Sequence, residues 1–226
     1  MAKRRKISNL LALSLLTLLM ERPMYPYEMA AALRQRGKDQ AIKINWGSLY
    51  TVVQNLEKYG FTEALEVARE GRQPERTTYQ ITDAGRAELK DWLRELLGVP
   101  EREYTRFEAA LGESAILPPD ELTGLLQQRL DALEAANAEH QAGLDALTAQ
   151  VPRLFLIESE YYLALRRGEA EWVRGLLKEF TDGTFPGLDA WRRYHETGQL
   201  PDEVLALAEL HEEEELQEEE GGTPDS

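Results

Sequence analysis

The sequence contains no cysteine and only three histidines among its 226 residues. Without cysteine the chain has no disulfide framework, no thiolate zinc site and no cysteine nucleophile, which suits a reducing cytoplasm. His140, His195 and His211 lie far apart, and none begins a His-Glu-x-x-His pair. Glycine-rich phosphate loops and a Gly-x-Ser-x-Gly elbow are missing as well. The sequence therefore predicts no enzyme, no catalytic residue, no bound cofactor and no metal site.

Long apolar runs are also missing. The most apolar stretch, Leu10–Met20, is 11 residues long, well short of the roughly 20 residues that cross a bilayer. The basic residues 3–6 precede it, so the start of the chain imitates a secretion signal. Glu21–Pro26 follows where a small-residue cleavage site would stand. We therefore interpret the stretch as a buried first helix of a cytoplasmic protein.

Positive charge is scarce overall, since the net charge is -15. Its distribution is uneven: residues 1–98 carry 16 Lys/Arg and 12 Asp/Glu, while residues 99–226 carry 10 and 29. The N-terminal part is thus net basic and is the part expected to meet phosphates, with Lys3, Arg4 and Arg5 as candidate DNA contacts. The glutamate runs in residues 208–226 predict a disordered acidic tail.

The order of patterns in residues 47–85 is typical of a winged helix-turn-helix. Leu49, Val52, Val53 and Leu56 recur at helical spacing before Gly60, which predicts the end of a third helix. Two strand patterns follow, residues 61–68 and 77–81, joined by a partly basic loop. Helices are predicted in addition over residues 7–20, 27–35 and 83–97, the last with Thr82 as N-cap.

The third helix and the loop after it supply the candidate DNA-reading residues. Hydroxyls and amides on the polar face of a recognition helix can approach base edges, and a tyrosine in its first turn can reach a phosphate. Arginines in a protruding wing can reach the backbone or the minor groove. Taken alone, the polar face of the helix is better interpreted as an ordinary solvent-exposed surface. The hairpin that follows it favours the DNA-binding interpretation. The candidates are Ser48, Tyr50, Thr51, Gln54, Asn55, Arg69, Arg72 and Arg76.

After the linker Gly98-Val99-Pro100, every pattern is helical. A helix over residues 119–150 would be about 48 Å long. Its apolar seam advances by alternating steps of three and four residues, the spacing of a coiled coil: Leu126, Leu130, Leu133, Asn137, His140, Leu144, Leu147 and Val151. The seam requires a partner, either the segment 152–180 or the same helix of a second subunit, and dimerisation is the interpretation we adopt. Asn137 and His140 would fix its register or oligomeric state, or be exposed.

The segment 152–180 carries an apolar stripe of its own. Its predicted members are Leu154, Ile157, Tyr161, Leu165, Trp172, Leu176 and Phe180. Aromatic side chains of the second domain could also line an effector pocket, although aromatics at helical spacing more often fill cores. The candidates for this pocket are Phe155, Tyr161, Tyr162, Trp172 and Trp191.

Four segments of the first domain resemble the PadR family of transcriptional regulators. Residues 24–28 are similar to the family's Tyr-Gly-Tyr-Glu, residues 47–50 to Gly-Thr-Leu-Tyr, residues 56–61 to Leu-Glu-x-x-Gly-Leu, and residues 79–86 to Tyr-x-Leu-Thr-x-x-Gly-Arg. Tyr25 and Tyr79, which lie in two of these segments, complete the predicted DNA-binding set. Pro26 stands where the family usually has Gly, and Thr51 where it commonly has Pro. Proline is tolerated at a helix start, so the fold is expected to be kept.

The resemblance implies a homodimeric regulator, usually a repressor, that binds double-stranded DNA at a pseudo-palindromic operator. Some members answer to phenolic acids, drugs or other aromatic compounds, which implies an aromatic effector. The second domain resembles the helical C-terminal domain of larger family members around residues 161–168.

We therefore expect a mainly α fold with a small two-stranded β wing. Residues 1–98 would form the winged helix domain, residues 99–207 an all-helical dimerisation and effector domain, and residues 208–226 the tail. The alternative is a winged helix protein-interaction module. A regulator should prefer one DNA site by about 10³-fold or more, whereas such a module should not.

Overall fold

The computed structural model describes residues 7–38, 42, 44–65 and 77–199. The chain divides into two compact units, residues 1–103 and 104–226. The described elements are α1 (Leu10–Leu19), α2 (Pro26–Gln35), α3 (Leu49–Lys58), β1 (Thr62–Ala64), β2 (Tyr79–Ile81), α4 (Asp83–Gly98), α5 (Arg106–Gly112), α6 (Pro119–Thr148), α7 (Ile157–Asp182) and α8 (Leu188–Thr197). The predicted mainly helical fold with a two-stranded antiparallel sheet is confirmed. The predicted acidic tail lies outside the described residues.

The first helix is the centre of the first unit's core. Asn9 begins it by accepting a hydrogen bond from the Leu11 amide through Oδ1, at 2.9 Å. Leu11, Leu15 and Leu16 are fully buried among residues of α2, α3, β2 and α4. A core position for every turn of α1 explains its apolar sequence. In the part of the chain that the structure describes, no helix combines the length and apolarity needed to cross a membrane.

The helix-turn-helix is formed by α2 and α3. Pro26 opens α2, where its missing N–H costs nothing, and the Glu28 carboxylate accepts from the Tyr25 amide at 3.1 Å. A 3-10 turn over Trp46–Ser48, capped by Asn45, leads into α3. The four predicted apolar residues of α3 are buried. The helix ends before Gly60, whose φ of +75° lies in the left-handed region that glycine adopts readily.

The short sheet holds the start of α4 against the end of α3. Thr62 pairs with Ile81, and Ala64 pairs with Tyr79. Thr82 caps α4 as predicted: its Oγ1 accepts from the Gly85 amide at 3.0 Å and donates to the Gly60 carbonyl at 2.7 Å. At Gly85 a Cβ atom would lie 2.0 Å from the carbonyl oxygen of Phe61. Only glycine allows α4 to pack this closely.

The second unit is built on α6 and α7, which pack along each other as antiparallel helices. Leu122, Leu126 and Leu130 of α6 share one core cluster with residues of α7 and α8, and Leu144 shares a smaller cluster with Leu156 and Leu163. Ion pairs between Arg129 and Glu169 and between Glu134 and Arg174 link the same two helices. The partner of the predicted seam is therefore α7 of the same chain.

Candidate nucleic-acid interface

The outer face of α3 is polar and exposed. At 100° per residue, Thr51, Gln54 and Lys58 lie opposite the buried stripe, and Tyr50 and Asn55 flank them on either side. Within the described part of the chain, the side chains of Thr51, Gln54 and Asn55 have no hydrogen-bond partner. These donors and acceptors are available to an external ligand such as a base edge.

Ser48 precedes the first turn of α3 and is half-buried. Its hydroxyl donates to the carbonyl oxygen of Asn45 at 2.8 Å. A hydroxyl has one donor and two acceptor sites, so Ser48 retains only its acceptor function for DNA. Its first role is to close the turn into α3.

Tyr50 extends into solvent from the first turn of α3, with 60% of its surface exposed. Its ring therefore does not fill the domain core. Its hydroxyl is placed at the margin of the polar face, where it can reach a phosphate.

Tyr25 and Tyr79 occupy different surroundings. The Tyr25 ring stacks on Tyr27, with 6.5 Å between centroids and an interplanar angle of 8°. Tyr79 is half-buried and packs against the core, because alternate strand residues share a face and Ile81 is buried beside it. Burial, together with the Glu57 carboxylate, raises the pKa of Tyr79 above its usual value. The structure gives Tyr79 a packing role against the core of the first unit.

The arginines in α2 and at its two flanks differ in what their guanidinium groups contact. Arg36 forms a bidentate ion pair with Glu21, at 2.5 and 2.8 Å, and its hydrogen bond lowers the pKa of Glu21. Arg22 pairs with Glu28 at 3.2 Å. Arg34 instead lies over the Trp46 ring, with its guanidinium carbon 4.1 Å from the centroid. The predicted cationic contacts Lys3, Arg4, Arg5, Arg69, Arg72 and Arg76 lie outside the described residues.

The residues predicted for dimerisation lie in the α6–α7 contact of one chain. Leu126, Leu130, Asn137 and Leu144 are buried there, Leu133, His140 and Val151 are half-buried, and Leu147 remains exposed. The interpretation of this seam as an intersubunit interface is therefore corrected. The physical reason is proximity: a short connection returns the chain, so α7 covers the seam before a second subunit can.

Most of the apolar stripe predicted on residues 152–180 lies on the face that does not contact α6. Leu154, Ile157, Tyr161, Leu165 and Trp172 are exposed, whereas the predicted members Leu176 and Phe180 are half-buried and buried.

The face of α7 and its N-terminal flank that meets α6 follows steps of three and four residues: Leu156, Ser159, Leu163, Arg166, Ala170, Val173, Leu177 and Phe180. The heptad is hard to recognise in the sequence because Ser159, Arg166 and Ala170 interrupt its apolar residues. Its spacing was the signal that could have found it.

The predicted effector residues do not enclose a pocket within one chain. Phe155, Tyr161, Tyr162 and Trp172 are exposed, and Trp191 packs on Phe180 and Phe185 while donating to the Ala115 carbonyl at 3.2 Å.

A cleft of about 280 Å³ beside the α6–α7 contact is lined mostly by polar residues, together with Leu144 and Leu163. Its two arginines are already bonded, Arg153 to Glu160 and Arg167 to Gln141.

Sequence comparison matches most of the first unit to a known family. Residues 15–91 match the sequence model of the transcriptional regulator PadR-like family. They form a PadR-like domain. The family resemblance expected from the four motifs is thereby confirmed. No curated protein matches the chain by sequence.

Solved structures share the fold over most of the chain. Bacillus subtilis PadR, crystallised with operator DNA, is 20% identical with a TM-score of 0.62, over 76% of this chain and 99% of its own. The same protein crystallised with p-coumaric acid gives a TM-score of 0.63 at the same identity and coverage. The Vibrio cholerae virulence activator AphA is 19% identical with a TM-score of 0.56, over 76% and 98% of the two chains.

The motifs of the PadR-like domain have structural roles in this chain. Glu28 caps α2, Gly60 ends α3, and Thr82 with Gly85 fixes the start of α4. These residues hold the domain together, while the polar face of α3 is formed by residues between them.

Proposed function

We propose that this chain is a homodimeric, sequence-specific DNA-binding regulator of transcription. The observation that carries the proposal is the exposed, unbonded polar face of α3 in a PadR-like domain. The crystal structure of Bacillus subtilis PadR with operator DNA supports the same use of this fold. A protein-interaction module, by contrast, does not require amide and hydroxyl side chains without hydrogen-bond partners along the outer face of α3.

The proposed contacts follow from the chemistry of that face. Gln54 and Asn55 can pair with the N6 and N7 edge of adenine in the major groove, and Thr51 can contact a base or a thymine methyl. Tyr50 and the N-terminal and wing cations would bind phosphates and so position α3. Ser48 would accept from a base amino group.

We place the dimer interface on the exposed apolar stripe of α7. The stripe is formed by Ile157, Tyr161, Leu165 and Trp172 of α7, with Leu154 just before the helix, and Tyr161 and Leu165 are 65% and 54% exposed. Gly168 lies among them with open space around its Cα, which permits close approach of a second helix. Two copies of the stripe can pair about a twofold axis, because such an interface presents the same surface from both subunits. A twofold dimer then matches a pseudo-palindromic operator.

We propose that the protein acts as a repressor, because blocking a promoter requires only that the operator be occupied. The proposal does not extend to an effector, because the predicted aromatic residues do not enclose a pocket within one chain.

The test compares one reading residue with one wing residue. Fragments selected from the source genome supply the operator, and affinity is measured over a salt series. Gln54→Ala should cost about 1 to 3 kcal/mol at one base position of each half-site with the salt slope unchanged. Arg72→Ala should weaken binding to all sequences and make the logarithmic salt slope shallower by about 1 for each phosphate that it no longer neutralises.

Gln128→Ala, exposed on α6 of the other unit, is the matched control and should bind as the parent does. If the parent shows no preference for any fragment, or if neither change alters affinity or slope, the interaction module replaces this proposal.

A further inference from the structure

A stacked pair of side chains lies between the two helices of the helix-turn-helix. Arg34, near the end of α2, places its guanidinium carbon 4.1 Å from the centroid of the Trp46 ring. Trp46 is the first residue of the 3-10 turn that leads into α3, and its indole is half-buried against the first core cluster. The ring thus contacts both the core of the domain and the arginine.

Arg34 differs from its neighbours in what balances its charge. Arg36 and Arg22 each hold a carboxylate, from Glu21 and Glu28. Among the described residues, no carboxylate lies within ion-pair distance of Arg34. A guanidinium held over an aromatic ring by a cation–π contact keeps its five N–H donors in its own plane. The charge and the donors of Arg34 are therefore held in place and remain available.

An oxyanion is the ligand that suits this arrangement. Planar guanidinium groups bind phosphate through two parallel hydrogen bonds, and prior fixing of the side chain reduces the entropy lost on binding. The stack also lies beside the start of α3, the end of a recognition helix that approaches DNA.

We propose that Arg34 binds a DNA phosphate at the edge of each half-site and that Trp46 is the positioning residue that holds it there. The proposal rests on the proposed DNA-binding function. It adds a contact outside the recognition face and the wing. In the competing explanation, Arg34 only covers the indole and contributes nothing to DNA affinity.

Arg34→Met separates the two explanations, because methionine keeps an apolar stem over Trp46 and removes the charge. In the full-length protein we expect operator affinity to fall by at least about tenfold. The logarithmic salt slope should become shallower by about 0.9 for each phosphate that the variant no longer neutralises. Affinity for random DNA should fall by a similar factor, since a phosphate contact carries no sequence information.

Two further variants complete the design. Trp46→Leu should weaken binding in the same direction but less, and adding it to Arg34→Met should cost little more, because the two residues act as one unit. Trp46→Phe, which keeps an aromatic ring under the guanidinium, should retain more operator affinity than Trp46→Leu. Arg36→Met is the matched control: its guanidinium is held by Glu21, and the salt slope should match that of the parent.

An unchanged slope and affinity for Arg34→Met, with a parent that prefers its operator, would overturn this proposal and leave the proposed function standing. Full additivity of the two changes would overturn the positioning role of Trp46. A parent without operator preference would overturn the proposed function and this inference with it.

Discussion

Thr62 and Thr82 carry the same hydroxyl in opposite circumstances. Thr62 Oγ1 is buried in β1 with no hydrogen-bond partner among the described residues, whereas Thr82 Oγ1 both donates and accepts. A buried polar atom without a hydrogen-bond partner lowers the stability of the fold. An N-cap hydroxyl that makes its hydrogen bonds raises it. The value of each threonine is therefore set by its neighbours.

We predict that Thr62→Val raises the free energy of unfolding by about 1 kcal/mol, because valine keeps the shape and removes the unpaired oxygen. Thr82→Val should lower it by about 1 to 2 kcal/mol, because the Gly85 amide and the Gly60 carbonyl lose their partner. Chemical unfolding of both variants beside the parent measures the two effects. Effects of equal sign would contradict this account of the two hydroxyls.

At the scale of elements, the pairing of α6 with α7 contains a polar layer. His140 Nε2 lies 2.7 Å from Ser159 Oγ and 3.2 Å from the Ser159 carbonyl oxygen. One turn away, Asn137 is buried and its Oδ1 has no partner within the described residues. Polar groups in a coiled-coil seam lower stability and specify register. The prediction that this layer fixes a helix register therefore concerns the pairing of two helices of one chain.

We predict that Asn137→Leu stabilises the second unit by about 1 to 2 kcal/mol, because it removes a buried unpaired carbonyl and extends the apolar seam. His140→Leu should instead destabilise it by about 1 kcal/mol, because Ser159 loses its partner. Thermal unfolding monitored by circular dichroism distinguishes the two substitutions. Destabilisation by Asn137→Leu would show that its amide has a partner that the geometry does not reveal.

At the scale of the whole molecule, α7 has two apolar faces, and one is covered by α6. The uncovered stripe is the surface that we assign to the second copy. The seam of α6 is unsuited to a test of dimerisation, because Leu133 and Leu144 contribute to the folded core of each chain. Charges placed there should unfold the second unit rather than release folded monomers.

We predict that Leu165→Glu converts the dimer to folded monomers and weakens operator binding, because dimerisation would bury a charged carboxylate of each subunit in an apolar interface. Leu125→Glu is the control, since Leu125 is an exposed leucine of α6, and it should remain dimeric. Sedimentation velocity measures the oligomeric state, and circular dichroism verifies the fold. A Leu165→Glu protein that stays dimeric would exclude this stripe as the interface.

The sequence by itself determined the local structure of the first unit. The Thr82 cap, the stop at Gly60 and the buried stripe of α3 were all predictable, because caps, turns and helical periodicity depend on residues within a few positions of each other. The polar face of α3 followed from the same periodicity. The outward position of Tyr50 did not follow, because a tyrosine at the margin of a helix suits either the core or solvent.

Only the tertiary structure decided which face of α7 is buried and what covers the seam of α6. Both faces of α7 are apolar, and the larger side chains of Tyr161, Leu165 and Trp172 made the exposed one look more hydrophobic. Small residues such as Ala170 and Val173 are buried instead, because close packing of two helices favours side chains that fit the gap between them. The contact between Arg34 and Trp46 is also decided only by the tertiary structure, since the connection between α2 and α3 brings these two residues together.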